Sequence, residues 1–252
     1  MISLSAMVRR LPLLAALIGA NAALAEGSFK VLPPVLESNA HAAQMQELQD
    51  SGVLQMMVAE VNKLFKVDRD IGVRFAECGQ SNAFFYPAKM EILMCAEMVV
   101  EMEQDFAQVI ADEQARQEAV MGAFAAVLLH EVGHALVSAL QIPITGREED
   151  AVDQLSAWVL IESGMAEDVL SSAATYYSQG TANDRQMAGE HSLNQQRYYN
   201  QVCWVFGSNP DGFMHLLSDW GLPEARARRC PNEYAQLRNS WARLLDGHLR
   251  VP

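Results

Sequence analysis

The sequence predicts an α+β chain: a small antiparallel sheet with an edge strand, followed by a mainly helical body. Three observations predict it. Ile71, Val73 and Phe75 alternate with Gly72, Arg74 and Ala76, the period-two pattern of a half-buried strand. Two further strand candidates, 82–86 and 91–95, flank Pro87-Ala88-Lys89-Met90, which reads as a hairpin turn. From Ala96 onward the apolar spacing is mostly helical.

The elements follow in order. Residues 1–25 carry Arg9 and Arg10, an apolar stretch from Leu11 to Leu24, and Ala23-Leu24-Ala25 before Glu26. That is a cleavable secretory signal; the stretch is short for a membrane span and contains Pro12, Gly19 and Asn21. Residues 26–252 then form one domain, a sheet-containing part (26–95) and a helical part (96–252). Residues 29–35 are extended, and 42–65 have the spacing of one helix. Helices are expected over 96–109, 114–140, 145–163, 166–177, 191–206, 210–219 and 232–246, with a polar loop at 178–189. Thr145-Gly146-Arg147-Glu148 matches a capping box. After the leader, no second segment reads as a bilayer span, so no stable membrane span is expected.

Composition narrows the partners. Removing the leader takes two arginines and no acid, so the formal charge moves from −13 to −15. An acidic exported chain is a poor nucleic-acid binder. A periplasmic or secreted location also suits the four cysteines, an even count that favours two disulfides. Of three pairings, local loop closure favours Cys78 with Cys95 and Cys203 with Cys230. The sequence leaves the oligomeric state open.

The chemistry centres on His130-Glu131-Val132-Gly133-His134, set in an apolar run. Residues four apart on a helix share a face, so both imidazoles can reach one ion. Glu131 neighbours that ion and can polarise a water. This is the zincin peptidase pattern, and it makes one Zn²⁺ the expected cofactor and a peptide or protein the expected substrate. A catalytic zinc needs a third protein ligand. The candidates are Glu148, Glu149, Asp150 and Asp153. Glu149 and Asp153 are four apart, so Glu149 can bind the ion while Asp153 orients a histidine.

His130-Glu131-x-x-His134 followed by Glu149-x-x-x-Asp153 resembles the gluzincin peptidases, the group that includes thermolysin. The resemblance implies that Glu149 is the third zinc ligand and Asp153 its supporting carboxylate. The gap from His134 to Glu149 is shorter than in thermolysin, which implies a tight connection between two helices. The continuation of metzincins and the G-T-x-D of aspzincins are not found. Asn82-Ala83-Phe84-Phe85-Tyr86 resembles the N-A-F-W edge strand of the same group, which implies that Asn82, Ala83 and Phe84 border the cleft and pair with substrate backbone. The chain also resembles a functionally uncharacterised bacterial family classed as metallopeptidases. That likeness runs through Cys78-Gly79, Cys95 with Glu97, 144–154, and Glu190-His191-Ser192-Leu193 with Gln196-Arg197-Tyr198-Tyr199-Asn200.

A partner for the developing oxyanion remains to be found among His, Tyr and Arg. His41, His215 and His248 read as structural. His191 is the leading candidate, opening a helix after a polar loop. Arg197, Tyr198 and Tyr199 lie one to two turns beyond it, and Arg197 reads equally as a salt-bridge residue; Tyr176 and Tyr177 are further candidates. A catalytically silent metal-binding or periplasmic interaction protein on the same scaffold is the alternative reading.

Overall fold

The computed structural model describes residues 26–36, 42–178 and 187–250. The expected signal (1–25), His41 and much of the polar loop lie outside the described residues. The α+β class holds: a four-stranded sheet precedes a mostly helical body.

Strands β1 (Phe29–Val31), β2 (Ile71–Ala76), β3 (Ala83–Tyr86) and β4 (Glu91–Cys95) lie in the order β1-β2-β4-β3. The sheet is mixed rather than wholly antiparallel. Only the β3–β4 hairpin is antiparallel; β1–β2 and β2–β4 are parallel. The reason is connectivity. Two helices separate β1 from β2, and the chain passes β4's position to lay down β3 before turning back. The turn is at Pro87–Met90, with Met90 at φ +50°. β3 is therefore an edge strand. Glu97 fixes the segment before it, accepting from the Gly79 amide at 2.7 Å and the Cys78 amide at 3.1 Å.

The expected helix over 42–65 is two helices, α1 (Ala42–Asp50) and α2 (Val53–Leu64). Gly52 between them sits at φ +68°, and the Ser51 hydroxyl donates back to the Leu48 carbonyl. A left-handed residue cannot continue the ladder, and glycine adopts it without a Cβ clash.

Helix α3 (Ala96–Ala107) follows β4 without a loop, and α4 (Glu113–Leu140) carries the histidine motif through the core. Asp112 caps α4, accepting from the Ala115 amide at 2.8 Å. By length and composition α4 could cross a membrane, which corrects the expectation that no second segment qualifies. Its most apolar window is 78% buried inside the protein, so its apolarity is spent on the core.

Helix α5 (Glu148–Glu162) starts two residues later than the capping box predicts. Arg147 is its N-cap and gives no side-chain cap. The Glu148 carboxylate, which the box needed, contacts His134 instead. Then come α6 (Ala166–Ser178), α7 (Asn194–Ser208), a 3-10 turn at Met214–Leu217 where a helix was expected, α8 (Glu224–Ala227) and α9 (Cys230–Leu244). α9 braces α5: Trp241 Nε1 donates to the Ala151 carbonyl at 3.1 Å, and Tyr234 and Arg238 both bond Glu162.

Both disulfides take the locally closed pairing. Cys78–Cys95 joins the segment just after β2 to the end of β4, and Cys203–Cys230 joins α7 to α9. For loops of this length each contributes about 3 kcal/mol by restricting the unfolded chain.

Candidate active site

The site is built where α4 and α5 cross. His130 and His134 are one turn apart on α4, and their Nε2 atoms are 3.2 Å apart. Glu149, in the first turn of α5, puts Oε2 at 3.1 Å from His130 Nε2 and 3.3 Å from His134 Nε2. Bonds of ~2.0–2.1 Å in a tetrahedral shell put neighbouring donors ~3.4 Å apart. These three atoms are therefore spaced to hold one ion.

Gly133 lets the helices come this close. A Cβ built there would lie 2.8 Å from both Cβ and Cγ1 of Val152 on α5. A glycine in the middle of a helix otherwise costs about 1 kcal/mol, so its position is itself a sequence signal for close approach.

Each motif histidine has its outer nitrogen on a carboxylate. His130 Nδ1 is 2.8 Å from Asp153 Oδ1, and His134 Nδ1 is 2.7 Å from Glu148 Oε1. The second contact was not expected; acids at a helix N-terminus look alike in sequence. Asp153 also accepts from Arg197 on α7, from Nε to Oδ2 and from Nη2 to Oδ1, both at 2.7 Å. The Arg197 guanidinium lies over the Tyr176 ring, 4.0 Å from its centroid.

His191 joins the cluster from the segment before α7, three residues ahead of the helix it was expected to open. Its Nε2 is 2.9 Å from Glu149 Oε2, and its ring stacks on His130 with centroids 5.8 Å apart. Arg147 donates to the His191 carbonyl at 3.2 Å. The His191 side chain remains 49% exposed. Two donor triads thus share His130 and Glu149. One adds His134; the other adds His191, with all donor atoms within 4.8 Å.

The charges follow from this packing. Burial alone would push Glu149 up, but contacts from His130, His134 and His191 hold it far below the usual carboxylate range. Burial would likewise raise Asp153, yet Arg197 and His130 hold it well below that range. Burial disfavours a charged His130, but Asp153 and Glu149 overcome this and raise it to about 9. Burial pushes Glu131 upward, against the pull of His130 and His134. Burial raises Tyr176 to about 12.

His130, Glu131, His134, Glu148, Glu149 and His191 face a cleft of about 1010 Å³. Asn82, Ala83 and Phe84 line it together with His130, Glu131, His134, Glu149 and His191. Arg197, Tyr176, His215 and His248 do not line it.

A helix-borne histidine pair, a carboxylate from the next helix, a buried glutamate and residues of an edge strand thus lie along one cleft. The chain belongs to the DUF4344 family, described as “Putative metallopeptidase”, whose model matches residues 35–245. Searches of the curated proteins and of the solved structures found no match. Family membership gives the chain a peptidase-like, metal-dependent function acting on peptide or protein.

A Gly133→Ala chain is expected to fold, since about 1 kcal/mol of helix propensity offsets part of an overpacking cost of about 1–3 kcal/mol. Displacing α5 should nevertheless weaken metal binding roughly tenfold or more, the scale of a lost supporting contact. Chelator competition measures this, and unchanged affinity would contradict the close-approach role of Gly133.

Proposed function

We propose that this chain is an exported zinc peptidase of the gluzincin type. In this reading the leader 1–25 is removed, residues 26–252 work as one domain, and His130, His134 and Glu149 hold one zinc ion. The observation that carries it is the position of Glu149 Oε2, 3.1 and 3.3 Å from two Nε2 atoms that are 3.2 Å apart. Two imidazoles and a carboxylate suit zinc. His134 is preferred to His191 as the third donor because it sits on the same helix as His130 and is oriented by Glu148. The two disulfides fit an oxidising compartment.

A zinc ion held there supplies Lewis-acid charge and makes water more acidic. Glu131, buried beside it and with raised proton affinity, takes a proton from the attacking water and returns it to the leaving amine nitrogen. The substrate adds its backbone to the free edge of β3 at Asn82, Ala83 and Phe84. His191, half exposed on the cleft wall, faces the developing oxyanion. Asp153 keeps His130 in the tautomer that presents Nε2.

The test compares wild type with Glu131→Gln by metal analysis and proteome-wide cleavage mapping. Both chains should hold one zinc ion. Hydrolysis should fall by roughly 100-fold or more in the variant, the scale of lost general-base catalysis. Full activity in Glu131→Gln would exclude the mechanism. A second reading rests on the 2.9 Å contact between His191 and Glu149. If His191 is a fourth donor, the site is closed and the protein binds metal without turnover. That reading predicts empty cleavage maps for both chains, with zinc bound in each.

A further inference from the structure

We propose that Arg197 is a positioning residue for the metal site, acting on His130 through Asp153, and that the C-terminal helices hold it there. The inference rests on the proposed ligand set. It explains why a site built on α4 and α5 is backed by a second layer of helices.

The two contacts from Arg197 to Asp153 form a fork, Nε to one oxygen and Nη2 to the other. Such a bidentate pair fixes the plane of the carboxylate as well as its position. Asp153 Oδ1 is shared with His130 Nδ1. A carboxylate that cannot turn allows the His130 ring one orientation, with Nε2 toward Glu149 and His134. Asp153 is only 4% exposed. Without Arg197 the Asp153 carboxylate would lose both contacts that fix its plane and would be free to turn. Such a turn moves the acceptor that orients His130.

Arg197 is absent from the residues lining the cleft, so it works through Asp153 rather than on substrate. It is clamped in turn. The Tyr176 ring covers one face of the guanidinium from α6. α7, which carries Arg197, is linked to α9 by Cys203–Cys230. α9 is bonded to α5, which carries Glu149 and Asp153, through Trp241, Tyr234 and Arg238. The fork therefore closes a ring of attachments, α5 to α7 to α9 and back to α5.

Arg197→Lys is the informative substitution. It keeps the buried positive charge and removes the fork. Arg197→Lys, Asp153→Asn and the double variant would be compared with wild type by zinc affinity from chelator competition, by the visible spectrum of the Co²⁺-loaded protein, and by circular dichroism and melting of the metal-free chain. Each single variant should lose roughly 10–100-fold in zinc affinity. Each should shift the Co²⁺ spectrum while the metal-free chain keeps its fold. The double variant should be little worse than either single one, since both break the same path. Zinc affinity and Co²⁺ spectrum unchanged in Arg197→Lys would overturn the proposal, as would additive losses. Loss of the metal-free fold in Arg197→Lys would overturn it too, by assigning Arg197 to stability alone. A wild-type chain that binds no ion would sink the zinc-site reading and this proposal together, whereas equal binding by wild type and Arg197→Lys removes this proposal only.

Discussion

A Glu149→Ala chain is expected to lose zinc affinity by more than the roughly 10–100-fold that a supporting residue contributes, and to lose hydrolysis with it. Glu149 Oε2 is where three imidazoles meet, at 3.1 Å for His130, 3.3 Å for His134 and 2.9 Å for His191. In the proposed ligand set, removing it takes out the anion and leaves only neutral nitrogens as donors. Two or three imidazoles then face the ion with no charge to match. The substitution shortens a side chain in the first turn of α5 and fills no space, so the helix itself should persist. Equilibrium dialysis against zinc with elemental analysis gives the result directly. Wild-type affinity in Glu149→Ala would transfer the ligand role to another acid. Glu148 would be first in line, with Oε1 already 2.7 Å from His134 Nδ1.

Zinc uptake is expected to release a proton at neutral pH, and affinity should fall as pH drops below about 9. His130 sets this. Its burial disfavours charge, but Asp153 and Glu149 raise its pKa to about 9 in the metal-free protein. Zinc needs the neutral ring, so binding displaces the proton. From this histidine alone the affinity should drop by up to about tenfold per pH unit below that value. Stability of the metal-free chain follows the opposite course. The folded pKa lies above the ordinary 6.5, so the stabilisation is complete below pH 6.5 and is lost as pH rises through about 9. The zinc-loaded chain carries no proton there and should not weaken over that window. Melting curves from pH 6 to 10, with chelator and with excess zinc, test the difference. Titration calorimetry in buffers of different ionisation enthalpy counts the protons. Zero protons released at pH 7 would mean that His130 is already neutral.

Much of this was legible in the chain. The run around His130 marked a buried helix, and the four-residue spacing put two imidazoles on one face. The alternation at 71–76 marked β2, and the strand-turn-strand pattern at 82–95 gave the hairpin its place. The cysteine pairing followed from short loops. Other features were not legible, for reasons that can be named. Period-two alternation marks a strand but does not choose its neighbour, so the parallel β2–β4 pair was missed. Apolar spacing alone ran through Ser51 and Gly52, where the backbone turns left-handed. An acid in a first helical turn looks the same whether it offsets the dipole or, like Glu148, orients a histidine.

By itself the sequence determined the local half of the site: which helix carries the imidazoles, which glutamate stands beside them, and that Glu149 and Asp153 share a helix face. These depend only on helical periodicity over a few residues. The tertiary structure alone decided how that face meets the motif. Gly133 leaves room for Val152, so two helices approach closely enough for one carboxylate oxygen to touch both motif histidines. It also decided that Arg197, 44 residues from Asp153, closes on it as a fork. Contacts across that separation depend on packing distances that no local pattern encodes.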